Sequence, residues 1–119
     1  MNVTAAKKLC RGFAGATEEI KWGNDLVFSV GEKMFACASN EASVNAVSFM
    51  VEDERFLELT DRDGIIPAPY LARARWVRVE DLRKLSDAEA GALLRRSYEL
   101  VFARLTKKLQ RELAEGAAK

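Results

Sequence analysis

Histidine is missing from this chain altogether. That absence removes the side chain most often used as a general base and the commonest metal ligand, so a Ser-His-Asp triad, a Cys-His nucleophile and any histidine-containing zinc site are impossible within it. Cysteine is nearly missing too. Cys10 and Cys37 cannot supply a four-cysteine metal site, and their separation argues for two buried thiols rather than a disulfide framework. No apolar run approaches the ~20 residues that span a bilayer, and MNVTAAKKLCRGFAG lacks the continuous apolar core of a secretory signal. The expectation is a cytoplasmic protein with no membrane contact. A strong charge bias is also lacking: the net charge is +1 and the pI about 7.7, short of the pI above ~9 typical of nucleic-acid-binding domains.

What is present is enough for one core. The chain has 119 residues and is 49% hydrophobic, which fits a single domain over residues 1–119. Its charge is distributed unevenly. Residues 1–59 hold six Lys or Arg against nine Asp or Glu, whereas residues 60–119 hold thirteen against nine. Basic character therefore sits in the second half.

The patterning changes along the chain. Residues 4–11 read as a short amphipathic helix behind an Asn2 or Thr4 cap, stopped by Gly12. From EEIKWGNDLVFSVGEKMFACAS the period becomes two, with a β-hairpin over residues 26–38 and Gly31-Glu32 as a two-residue, type II′ loop. Met34, Ala36 and Ala38 are expected on one face of its second strand. VNAVSFMV gives a third strand, and the carboxylates of Glu52, Asp53 and Glu54 open a second helix that ends in DRDG. Pro67 and Pro69 bar a central strand there, leaving Ile65 and Ile66 as a short strand before an irregular stretch around Tyr70 and Leu71. Trp76, Val77 and Val79 follow as a strand near the sheet edge. SDAE then matches a capping box and opens the longest helix, whose stripe of Leu94, Tyr98, Val101, Leu105, Leu109 and Leu113 faces a core before EGAAK frays. The order is α+β around an antiparallel sheet.

KWGNDLVFSVGEKMFA (21–36), DGIIPAPYLARARWVRVED (63–81) and RRSYELV (95–101) together resemble the MmcQ/YjbR family of small bacterial proteins, in the family's order and over nearly the whole chain. The resemblance implies an α-β(3)-α-β(2)-α fold similar to secretion chaperones. It also implies two protruding hairpin "wings" and a DNA-binding role inferred from that shape. Where the family leads one to expect a histidine beside the strand tryptophan, this chain has Arg75.

The candidate contacts follow from RARWVRV and the hairpin turn. Strict alternation sets Arg73, Arg75, Val77 and Val79 on one face and Ala74, Trp76 and Arg78 on the other. With Lys33 as the wing-tip cation, the expected DNA-binding set is Lys33, Arg73, Arg75 and Arg78, with Trp76 as an exposed aromatic beside them. Four neutralised phosphates would give a salt slope of about −3.6. The same arginines can instead solvate a sheet edge. Trp22 reads as a core or lid aromatic. The cations of the last helix read as its wet face.

No cofactor or metal is expected and no catalytic constellation stands out. Asp61, Asp63, Glu80 and Asp81 equally serve turns and caps. The reading is a non-enzymatic binding module, monomeric or weakly dimeric, with double-stranded DNA as its partner. Two alternatives stay open. One is a protein or peptide adaptor, as the secretion-chaperone-like fold implies. The other is a small-ligand protein with a pocket near Trp22, Tyr70 and Trp76; Ser97 and Tyr98 are its further polar candidates.

Overall fold

Asn2 starts the first helix, α1 (Val3–Arg11), by accepting the Ala5 N–H on Oδ1 at 2.8 Å. It thereby satisfies one of the orphan donors of the first turn. The computed structural model describes residues 1–117 except 42 and 70. After α1 come β1 (Ala16–Lys21), β2 (Asp25–Val30), β3 (Lys33–Ser39), β4 (Val47–Met50), α2 (Asp53–Thr60), β5 (Ile65–Pro67), β6 (Trp76–Val79), α3 (Asp87–Phe102) and α4 (Lys107–Ala117). The strands form one sheet in the order β1-β2-β3-β4-β6-β5 with every neighbouring pair antiparallel. The architecture is α+β.

This sheet has one strand more than the α-β(3)-α-β(2)-α order. Ala16–Lys21 pairs with β2 along its whole length, from Ala16 opposite Val30 to Lys21 opposite Asp25. Its inner residues, Thr17 to Ile20, are all exposed, so this edge strand has no apolar alternation to announce it. The hairpin between β2 and β3 forms as read from the sequence, with a different turn. Gly31 and Glu32 both have positive φ, 56° and 68°, which is the type I′ pattern rather than II′. Type I′ suits the right-handed twist of the paired strands equally well.

A bulge then reorganises β3. Phe28 pairs with Ala36 while Ser29 pairs with Met34, so Phe35 is the extra residue. Across the bulge Phe35 and Ala36 are both buried, whereas Met34, opposite Ser29, faces the other way. Met34 therefore does not share a face with Ala36 and Ala38, contrary to strict alternation. Pairing of β3 with β4 begins only at Ala36 opposite Phe49. Just beyond, the fully buried Ser97 hydroxyl enters from α3. It donates to the Phe35 carbonyl at 2.6 Å and accepts the Met50 N–H at 2.9 Å. One side chain thus serves the two backbone groups that the ladder leaves open.

The core lies between the sheet and helices α1 and α3, which pack on β3 and on each other. Phe13, Phe35 and Tyr98 form its aromatic centre, with Tyr98 stacked on Phe13 at 4.8 Å and edge-on to Phe35 at 5.4 Å. Ser86 caps α3 by accepting the Glu89 N–H at 3.1 Å. The Glu89 carboxylate, however, turns to a bidentate pair with Arg62 at 2.8 and 2.9 Å. The long last helix of the sequence reading is two helices. The chain breaks after Phe102 and restarts at Thr106, whose hydroxyl accepts the Leu109 N–H at 3.2 Å. The break folds Leu105 and Leu109 over the β2–β3 turn, where a Cβ on Gly31 would lie 2.7 Å from both Leu105 methyl carbons. That turn is packed rather than a protruding wing. Residues 118 and 119, at the end expected to fray, lie outside the described residues, as does Tyr70.

Candidate binding groove

The site begins with the alternation of β6. Val77 and Val79 are fully buried on the helix side, which sends Arg78 to the opposite face. Register carries the same face across the sheet: Arg78 stands opposite Ser48 of β4, and Ser48 opposite Cys37 of β3. These three half-buried side chains line a groove of about 760 Å³, within the usual range for small-molecule sites. Val44, Pro69 and Leu71 add apolar wall, and Trp22, Asp25 and Met34 also line it. Met34 reaches the groove because of the bulge.

The Pro67-Ala68-Pro69 segment builds one wall for a backbone reason. Pro67 ends β5 opposite Val77, at an edge where its missing N–H costs no ladder bond. The chain then wraps the start of β6. Ala68 donates its N–H to the Trp76 carbonyl at 3.0 Å, and the Trp76 N–H donates to the Leu71 carbonyl at 3.3 Å. Under this strap Trp76 is 4% exposed.

Trp22 is the reverse case. It is 64% exposed, and it sits in the turn between β1 and β2 at φ 51°. A bulky residue in the left-handed region is strained by roughly 1–2 kcal/mol. Here the strained side chain stands at the rim of a groove, the kind of place where strain accompanies function. It is a lid-type aromatic and no part of the core.

Each sequence candidate can now be located. Arg73 lies in a short 3-10 turn, Ala72–Ala74, and is exposed; Arg75 follows at φ 62°. Neither belongs to the strand, so alternation does not govern them. Arg75 is committed to Asp53 at 2.9 Å and lies over the Phe56 ring at 5.4 Å. Lys33 is exposed beside the packed turn. Trp76 is buried in the hydrophobic core cluster and cannot stack on a base. Among the described residues Arg78 is the one cation that lines the groove. Arg11, Arg55, Arg62, Arg75, Arg83 and Arg96 all hold a carboxylate, whereas no salt bridge to Arg78 is found among the described residues.

The remaining polar candidates belong to the scaffold. Ser97 is spent on the two backbone groups, and the Tyr98 hydroxyl donates to the Ala14 carbonyl, with burial pushing its pKa up. Asp81 caps the Leu82–Lys84 turn and pairs with Arg83 at 3.0 Å. The Cys37 thiol faces the groove with its pKa pushed up to about 11 by burial. At neutral pH it is a protonated, weakly polar lining group rather than a nucleophile. Cys10 is buried, at about 12 for the same reason. Among the described residues no three His, Cys, Asp or Glu side chains cluster as metal ligands, and no helix is long and apolar enough to cross a membrane. Sequence reasoning missed the Cys37, Ser48, Arg78 row because it becomes visible only once strand register is known.

Comparison with solved structures gives Deinococcus radiodurans protein DR2400, a DUF419 domain. It is 28% identical with a TM-score of 0.83, over 95% of this chain and 88% of that one. A Pseudomonas syringae protein is 20% identical with a TM-score of 0.69, over 85% of this chain and 99% of that one, and supports the fold alone. No curated protein matches. The YjbR family model matches residues 11–100, the span from the end of α1 to within α3 that contains every strand and the whole groove lining. The chain belongs to the YjbR family.

Proposed function

We propose that this protein is a non-enzymatic binding protein that takes a small ligand in the groove on the open face of its sheet. The observation that carries this reading is the cavity of about 760 Å³ floored by polar side chains and walled by apolar ones, the composition of small-molecule sites. The exposed, strained Trp22 at its rim supports it. The test is equilibrium binding of 1-aminoanthracene, a small neutral apolar fluorophore, to the wild type and to Ser48→Trp, which fills the floor. One saturable site lost in the variant is expected. No saturable binding, or equal binding by the variant, would overturn the reading.

A second reading is weak binding of double-stranded DNA, as the family resemblance implies. Its supporting observation is that Lys33 and Arg73 are exposed at the same end of the sheet. Lys33 opens β3 and Arg73 precedes β6, and both strands run antiparallel to β4. Arg75 is held by Asp53 and Arg78 lies in the groove, so two phosphates are in reach rather than four. The salt slope on this reading is about −1.8. Anisotropy of labelled duplex DNA titrated over salt checks it, and no binding at low salt would retire it.

A further inference from the structure

We infer that the ligand of the groove carries a single carboxylate on an apolar body, and that Arg78 is the residue that receives it. This inference rests on the groove being the binding site and adds the chemical class of what binds there. Arg78 is half-buried in the floor, and no salt bridge to it is found among the described residues. Six other arginines hold carboxylates, and Arg73, Arg95, Arg104 and Arg111, for which no salt bridge is found either among the described residues, are exposed, so Arg78 alone of the five is half-buried. A half-desolvated guanidinium without a counter-charge gains most from an anion that brings two oxygens to its planar fork. Ser48, its neighbour across β4, adds a hydroxyl able to donate to the same group.

The rest of the lining sets the ligand's charge and body. Among the described residues Asp25 is the one carboxylate that lines the groove. It lies on β2, three strands from Arg78 in the sheet order, so the backbones are about 14 Å apart at a strand spacing of ~4.8 Å. With one cation and one distant anion the groove suits a monoanion. A phosphate dianion would leave charge unmatched in a partly dry site. Met34, Val44, Pro69 and Leu71 offer apolar contact to a chain or ring, and Trp22 stands where it can cover the ligand's far end.

The experiment compares 11-(dansylamino)undecanoic acid with its methyl ester, by dansyl fluorescence, on the wild type, Arg78→Met and Arg78→Lys. The expected result is that the wild type binds the acid about tenfold or more tightly than the ester, as charge-assisted hydrogen bonds imply. Arg78→Met should bring the acid down to the ester's affinity while leaving the ester within roughly twofold, and Arg78→Lys should retain part of the difference. Far-UV circular dichroism checks that each variant is folded. Equal binding of acid and ester by the wild type, or an acid preference unchanged in Arg78→Met, would overturn the assignment of Arg78 and leave the groove reading standing. Failure of both probes to bind would overturn the groove reading and the inference with it.

Discussion

Ser97 has the most consequential single hydroxyl in the structure. It answers both the Phe35 carbonyl and the Met50 N–H where the bulge parts β3 from β4. Removing it in Ser97→Ala orphans two buried backbone groups, each worth about 1–3 kcal/mol. Urea denaturation should therefore show a loss of about 2–6 kcal/mol; a change under ~0.5 kcal/mol would show that the groups find other partners. Gly31 is a second point of sensitivity. Gly31→Ala places a methyl group against Leu105 at φ +56° and should cost at least ~1–2 kcal/mol for the left-handed backbone alone, read by the same denaturation. Neither role was legible from the letters. Ser97 reads as a polar candidate for a ligand pocket, and Gly31 reads correctly as a turn residue, but the leucine above it comes from far along the chain.

At the scale of elements, the residues flanking α2 are tied to α3 by two carboxylate–arginine pairs. Glu52 accepts from Arg96 at 2.8 Å and Glu89 holds Arg62. Their arginine partners keep both carboxyls below the ordinary value of 4.5. A lowered folded pKa means stability that is complete above about pH 4.5 and is lost as pH falls through the folded values. Melting temperatures measured from pH 7 down to pH 3 should fall more steeply for the wild type than for Glu52→Gln/Glu89→Gln, the two curves converging at the acid end. Parallel curves would show that the pairs do not contribute. Elements with local signals were readable: the Asn2 cap, the SDAE box and the hairpin around Gly31-Glu32. The α3–α4 break had a signal in Thr106, a residue type that caps helices, but the leucine stripe continues across it because both helices face the same core. The exposed edge strand β1 carries Thr17, Glu18 and Glu19, and no hydrophobic period marks it.

Over the whole molecule, the groove lies on the face of the sheet opposite the buried Val77 and Val79. Alternation in β6 correctly separated Val77 and Val79 from Arg78, but the same rule extended to Arg73 and Arg75 fails where the strand has not begun. Trp76 shows the other limit of such reading. It shares the face of Arg78, yet it is buried beside backbone bonds to Ala68 and Leu71, and the course of that segment depends on a β5–β6 pairing that no local pattern reveals. The groove therefore collects Cys37, Ser48 and Arg78 from three strands that sequence reasoning could only treat separately.

The groove as ligand site is the central claim, and an NMR titration of the ¹⁵N-labelled protein with 11-(dansylamino)undecanoic acid tests it most directly. Saturable shifts are expected at Cys37, Ser48 and Arg78 and at the Trp22 indole N–H, with the amides of Lys107 and Lys108 on α4 unmoved. Shifts confined to the helices, or none at saturating probe, would contradict it.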